Sequence, residues 1–265
     1  GVQHHHAHLA ACLAEHAEPG PAVGAIFDGT GYGPDATIWG GEILCGTVRE
    51  FTRVGHLLPV RLPGGARAVR EPWRMACAWL VASGIEPPPA WQTVARLAHT
   101  GLASPWTTSM GRLFDAVAAL CGIRVRVNYE GQAAIELEAC CDPAVRGRYP
   151  IRVSEGLIDP REMIGEIAAD ARRGVPAGTI ATRFHSAIAH ATVEACIAAA
   201  AEHETELIVL SGGVFANRRL LADSEAGLSA AGLRVLTPER LPAGDGGISY
   251  GQAAVAAASV GGLRC

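Results

Sequence analysis

The sequence predicts an α/β fold, with helices flanking mixed strands, and three features predict it. Short apolar runs at 22–27, 206–210 and 233–236 have the length and bounds of buried strands. Two of them run straight into glycine-dense loops, Asp28-Gly29-Thr30-Gly31-Tyr32-Gly33 and Ser211-Gly212-Gly213. Ala-rich stretches without Gly or Pro, at about 5–17 and 179–202, read as helices.

Composition bounds the function. The 265 residues suffice for one large domain or two small lobes, and 49% apolar with 18% charged residues describes an ordinary globular chain. No apolar run approaches the length of a membrane span. A net charge of -4 argues against a broad phosphate-backbone-binding face, so neither a nucleic acid nor a membrane is expected as partner. The eight cysteines are scattered, with no C-x-x-C pair, which suits a reducing, cytoplasmic setting. None is read as a nucleophile, and Cys265 is read as an end residue. The chain contains no lysine: all 22 cationic side chains are arginine. A Walker P-loop and a Schiff-base mechanism are thereby excluded.

The first helix opens with Gln3-His4-His5-His6-Ala7-His8. On a helix His4 and His8 lie one turn apart on one face, within reach of a single metal ion. A tag remnant or a solvated helix start would also place histidines here. A tag is usually an unbroken run followed by a linker, whereas this run passes into an amphipathic helix, so the spacing favours a metal pair that is half a site. A helix bearing ligands in its first turn, with no strand before it, suggests a piece of a longer polypeptide.

Glu18-Pro19-Gly20-Pro21 stops that helix, and the strand at 22–27 follows. It delivers Asp28 and a loop whose bare backbone suits an anion, although D-G is also a common hairpin dipeptide. Residues 37–44 read as the returning strand, 47–70 as a strand and a loop, and about 72–83 and 91–101 as helices joined by Glu86-Pro87-Pro88-Pro89. Trp73, Trp79 and Trp91 are read as packing residues. The helix ending at Leu120 has an apolar face of Leu113, Val117 and Leu120, with Asp115 on another face, either placed for contact or solvated. Glu130-Gly131 precedes a helix over 132–141, a carboxylate at a close-approach position. A strand at 149–153 and a helix from about Pro160 come next. His185 and His190, five apart on the long helix, are read as structural. Strand, Gly212-Gly213 turn and helix then form a geometry that brings backbone to a nucleotide. Asp245 arrives in a second glycine-rich loop, Gly244-Asp245-Gly246-Gly247, mirroring Asp28.

Four phrases in this order, V-Q-H-H-H-A-H, F-D-G-T-G-Y-G, G-R-L-F-D-A-V-A-A-L and G-D-G-G-I-S-Y-G-Q, carry a family signal across residues 2–256. The chain resembles the nucleotide-dependent carbamoyl and threonylcarbamoyl transferases of the actin-like ATPase superfamily. Within that group it looks most like the C-terminal domain of the HypF hydrogenase-maturation carbamoyltransferases. The resemblance implies a ribonuclease H-like, two-lobe fold with an N-terminally truncated first lobe. Residues 1–60 would be the remainder of that lobe, and 61–265 a helical insert with the second lobe. It implies a divalent metal, iron or zinc, on His4, His8, Asp28 and Asp245. Gly29, Thr30 and Gly31 would face phosphate or carbamoyl adenylate, Asp115, Glu130 and Gly131 the ribose, and Gly212, Gly213 and Asn217 the adenosine. ATP or carbamoyl adenylate would be the nucleotide, the carbamoyl acceptor would be the C-terminal cysteine of HypE, and the remaining domains of the full-length protein would supply the adenylate. A tRNA threonylcarbamoyl transferase, a small-molecule O-carbamoyltransferase and a non-catalytic ATP-binding domain remain as alternatives.

Overall fold

The structure, a computed structural model, describes residues 1–261; Cys265 lies outside them. The first helix is α1 (His4–Glu15), capped by Gln3, whose side-chain oxygen accepts the His6 amide at 2.8 Å. β1 (Ala22–Tyr32) runs farther than its apolar start foretold, carrying Asp28, Gly29 and Gly31 within the strand past a bulge between Phe27 and Gly31. Asp28-Gly29 is therefore not the hairpin turn. The chain reverses at 33–37, where the Gly33 amide donates to the Thr37 carbonyl at 2.9 Å.

β2 (Ile38–Gly46) and β3 (Phe51–Leu57) continue the antiparallel meander. Beyond them the expected loop holds a short strand, β4 (Val60–Arg61), and a five-residue helix, α2 (Ala66–Arg70). α3 (Pro72–Ala82) and α4 (Gln92–Thr100) follow as expected. After β5 (Trp106–Thr107), α5 (Met110–Leu120) begins where Ser109 caps it, its hydroxyl accepting the Arg112 amide. The chain continues through α6 (Gln132–Ala139), the β6 (Arg152–Ser154) and β7 (Leu157–Asp159) hairpin, α7 (Arg161–Arg172) and α8 (Ala177–Glu202). It closes with β8 (Leu207–Ser211), α9 (Arg218–Ala230), β9 (Arg234–Leu236) and α10 (Ile248–Gly261).

All these strands belong to one mixed sheet, ordered β6-β7-β3-β2-β1-β8-β9, with β4 and β5 attached beside β2. β1 pairs in parallel with β8, Val23 opposite Ile208 through Ile26 opposite Ser211. β8 is buried along its whole length, and it takes its hydrogen-bonding neighbours from β1 on one side and β9 on the other.

Alternation along the central strands sorts the core into two layers. Val23, Ala25, Phe27, Ile208 and Leu210 face the larger cluster, which includes Leu113, Phe114 and Val117 of α5 and Phe184 and Ile188 of α8. Ala22, Ile26, Leu207 and Val209 face the other way, against Leu9, Cys12 and Leu13 of α1. Each fully buried Leu contributes about 1.5–3 kcal/mol. α10 crosses α1 so closely that a Cβ on Gly251 would overlap the Ala7 carbonyl oxygen. Trp79 is fully buried, and Trp73 and Trp91 pack against each other, which is the packing role expected of all three. Among the described residues no helix is long and apolar enough to cross a membrane.

Candidate metal and nucleotide site

The site lies where parallel β1 and β8 end, the edge at which open α/β sheets receive ligands. β1 brings Asp28 to that edge, and α1 presents its histidine face above it. His4 Nε2 stands 2.8 Å from Asp28 Oδ2, and His8 Nε2 stands 3.4 Å from the same oxygen. Asp245, from the loop before α10, lies 3.6 Å from His4 and 3.8 Å from His8. One ligand atom from each of the four lies within 4.8 Å of every other. Two imidazoles and two carboxylates suit iron or zinc, with coordination positions left open.

The fit of a cation rests on more than this proximity. His8 is 2% exposed, and its Nε2 is buried without a hydrogen-bond partner. A buried polar atom left unpaired is costly, and a metal ion would satisfy it. Burial alone would lower the His4 pKa, but the hydrogen bond and charge of Asp28, with the charge of Asp245, raise it. At Asp28 burial works against ionisation; the hydrogen bond to His4, the close approach of His8 and the Gly29 amide outweigh it and hold the carboxyl well below the usual range. His5 faces inward: burial and the neighbouring His4 push it down to about 3, so it stays neutral. His6 Nε2 donates to the Thr47 carbonyl oxygen, 2.9 Å away, and the ring packs on Phe51.

The cluster opens into a cleft of about 900 Å³. Of the residues that the resemblance assigns to ligand, Gly29, Thr30, Asp115, Glu130, Gly131, Gly213 and Asn217 line it. Gly31 and Gly212 do not. A Cβ on Gly31 would strike the His5 ring, and Gly212, at φ +100°, packs so tightly on the Phe27 carbonyl that only glycine fits. These two glycines make room for protein, not for ligand. The amides of Gly29, expected to face phosphate, and of Gly213, expected at the adenosine, both donate to Asp28 Oδ1, at 2.8 and 3.3 Å. They hold the carboxylate in place.

Asp115 is buried and not solvated, with its Oδ2 3.1 Å from Arg112 Nε one turn earlier on α5. Burial pushes its carboxyl up to about 6 despite that arginine, and nearby Glu130 adds to the rise. Asn217 caps α9 through Oδ1, which accepts the Leu220 amide at 2.9 Å, while its Nδ2 stands 2.8 Å from His185 Nε2. His185 Nδ1 stands 2.7 Å from the Ala181 carbonyl, so the ring donates there and accepts from Asn217. The sequence reading passed over Arg112, although its i,i+3 spacing from Asp115 was visible. It also passed over Arg70 and Glu138, which line the cleft.

Residues 24–252 match the family model described as carbamoyltransferase, Kae1-like domain, second subdomain. The chain is 40% identical over 277 residues to the carbamoyltransferase HypF homolog of Cupriavidus necator, covering 97% of this chain and 70% of that protein. It is 42% identical over 271 residues to carbamoyltransferase HypF of Rhodobacter capsulatus, covering 98% of this chain and 36% of that one. The crystal structure of full-length HypF in the phosphate- and nucleotide-bound form matches with a TM-score of 0.90 at 35% identity, over 98% of this chain and 36% of that chain. The chain therefore spans about a third of the length of these last two proteins. It belongs to the HypF carbamoyltransferase family, and its sheet and flanking helices are the Kae1-like, actin-like fold of that family.

Proposed function

We propose that this chain transfers a carbamoyl group from carbamoyl adenylate to the C-terminal cysteine of HypE, a step toward the cyanide ligands of nickel–iron hydrogenases. The observation that carries this reading is the meeting of His4, His8, Asp28 and Asp245 at the mouth of a nucleotide-sized cleft. A protein that only sensed ATP would have no use for such a cluster, and a tRNA modifier would need a basic approach face that a net charge of -4 does not offer.

In this reading His4, His8, Asp28 and Asp245 hold a divalent ion, iron or zinc, which supplies Lewis acidity toward the carbamoyl carbonyl or the phosphate of the departing AMP. Asp28 is kept ionised chiefly by His4 and His8 and is fixed in place by the Gly29 and Gly213 amides. Asp115, Glu130 and Gly131 receive the ribose, and Gly213 and Asn217 bound the adenosine end. Gly29 and Thr30 form the wall along which the adenylate lies. The acceptor thiolate attacks the carbamoyl carbon, the new C–S bond forms, the C–O bond to phosphate breaks, and AMP leaves with the electron pair. Four of the described thiols are kept out of the chemistry: burial pushes Cys12, Cys77, Cys121 and Cys196 up to about 12, which keeps them protonated. The test supplies carbamoyl adenylate and HypE to the metal-loaded chain and reads the acceptor by mass spectrometry. Carbamoylation at the terminal cysteine that disappears in Asp28→Asn is the expected result. Carbamoylation at the same rate with and without this chain overturns the reading.

A further inference from the structure

Arg112 occupies the first turn of α5 and is only 3% exposed, yet it lines the cleft. Its Nε lies beside Asp115, but neither Nε nor Nη1 makes a hydrogen bond within the described residues. Its Nη2 lies 3.5 Å from where a Cβ on Gly29 would stand, and Glu130 Oε1 lies 3.0 Å from the same point. The guanidinium is thus set over Gly29, between the Asp28 end of the cleft and the Asp115–Glu130 pair. A buried guanidinium with unpaired N–H groups is costly, and the fork geometry of those groups matches a phosphate.

The surroundings narrow the assignment. The cleft is lined by five carboxylates, Asp28, Asp115, Glu130, Glu138 and Asp245, and by two cations, Arg70 and Arg112. The Gly29 and Gly213 amides are already engaged by Asp28. With no lysine anywhere in the chain, a ligand phosphate at this depth has Arg112 as its buried cationic donor.

We propose that Arg112 pairs with the phosphate joined to the ribose of the bound nucleotide. This rests on the reading of Asp115 and Glu130 as the ribose end, because the 5′ phosphate is the group that then falls between them and Asp28. Arg112 sets the cleft's preference for a phosphorylated nucleoside over a bare one, and its own charge is balanced in the empty cleft by Asp115.

The experiment is calorimetric titration of AMP and of adenosine into the full chain stripped of metal by chelation, so that a metal ion does not contribute to the phosphate term. Unmutated protein is expected to bind AMP about ten- to a hundredfold more tightly than adenosine. Arg112→Gln is expected to lose most of that ratio while keeping its adenosine affinity, with circular dichroism confirming the fold. Arg112→Lys, which keeps the charge without the fork, is expected to fall between the two. If Arg112→Gln does not fold, Arg112→Lys decides: a several-fold drop in the ratio supports the pairing, and an unchanged ratio overturns it. AMP preference retained in Arg112→Gln overturns this proposal alone. Failure of the unmutated chain to bind either AMP or adenosine overturns it together with the nucleotide reading beneath it.

Discussion

Two histidines, His8 and His185, are about equally buried and sit on helices against the same sheet, yet their surroundings are opposite. His185 has both ring nitrogens occupied, one at the Ala181 carbonyl and one at the Asn217 amide. His8 has a buried Nε2 with no hydrogen-bond partner, aimed toward two carboxylates. Burial alone therefore says little about a histidine. What separates a strut from a ligand is whether the protein has finished satisfying it. The same contrast holds between Asn217, whose side chain is spent on a helix cap and a histidine, and Arg112, whose Nε and Nη1 lack a hydrogen bond among the described residues although Asp115 lies beside Nε.

The largest expected effect breaks this comparison at its open end. His8→Ala should reduce bound metal from about one ion per chain to almost none, because four donors become three. Elemental analysis after dialysis reads this directly, and His185→Ala should leave the metal content unchanged. Equal metal loss in both variants would mean that the cluster is held together by the fold as a whole and not by its own ligands.

The satisfied end should respond in stability instead. His185→Ala leaves the Asn217 Nδ2 buried without its acceptor, at a cost of about 1–3 kcal/mol in urea unfolding. A smaller loss than that of His8→Ala in the metal-free protein would assign the packing load to the wrong histidine.

The smallest effect is in pH, where His185 and Asp115 should pull in opposite directions. Burial holds the His185 pKa down to about 4, so between about pH 6.5 and 4 the unfolded chain takes up a proton that the folded one refuses. Stability therefore falls as pH is lowered through that window, by about 1 kcal/mol from pH 6.5 to 5.5. Asp115, raised to about 6, keeps its proton in the folded state where the unfolded chain has lost it. Its contribution falls as pH rises from about 4 to 6. Unfolding curves of His185→Gln and Asp115→Asn against pH should thus differ from the unmutated chain with slopes of opposite sign; slopes of the same sign would refute the assignment of either group.

How much of this was legible in the sequence follows the range of the interactions involved. The histidine helix, the buried strands at 22–27 and 206–210 and the glycine loops were readable because periodicity and punctuation are local. The approach of His4 and His8 to Asp28 and Asp245 was legible only through the family resemblance, since no spacing rule brings residue 8 to residue 245. The parallel pairing of β1 with β8 leaves no local trace. Gly31 and Gly212, which sit tight against His5 and the Phe27 carbonyl, show a related limit. A glycine announces that something comes close, but whether it is a ligand or a neighbouring carbonyl is a tertiary fact. Asp115 was ambiguous because the sequence does not show how deeply a helix is buried.

The contact of Gly251 with Ala7 has a consequence in time. α1, with its apolar face and the histidines His4 and His8, leaves the ribosome long before the helix that packs on it. At about 5–20 residues per second the 244 residues between those two contact points take roughly ten to fifty seconds to appear. For that interval Asp245 does not yet exist, so the nascent chain carries an incomplete cluster. An ion held by the four proposed ligands could therefore be captured in full only late in synthesis, after a window in which the histidines stand without Asp245.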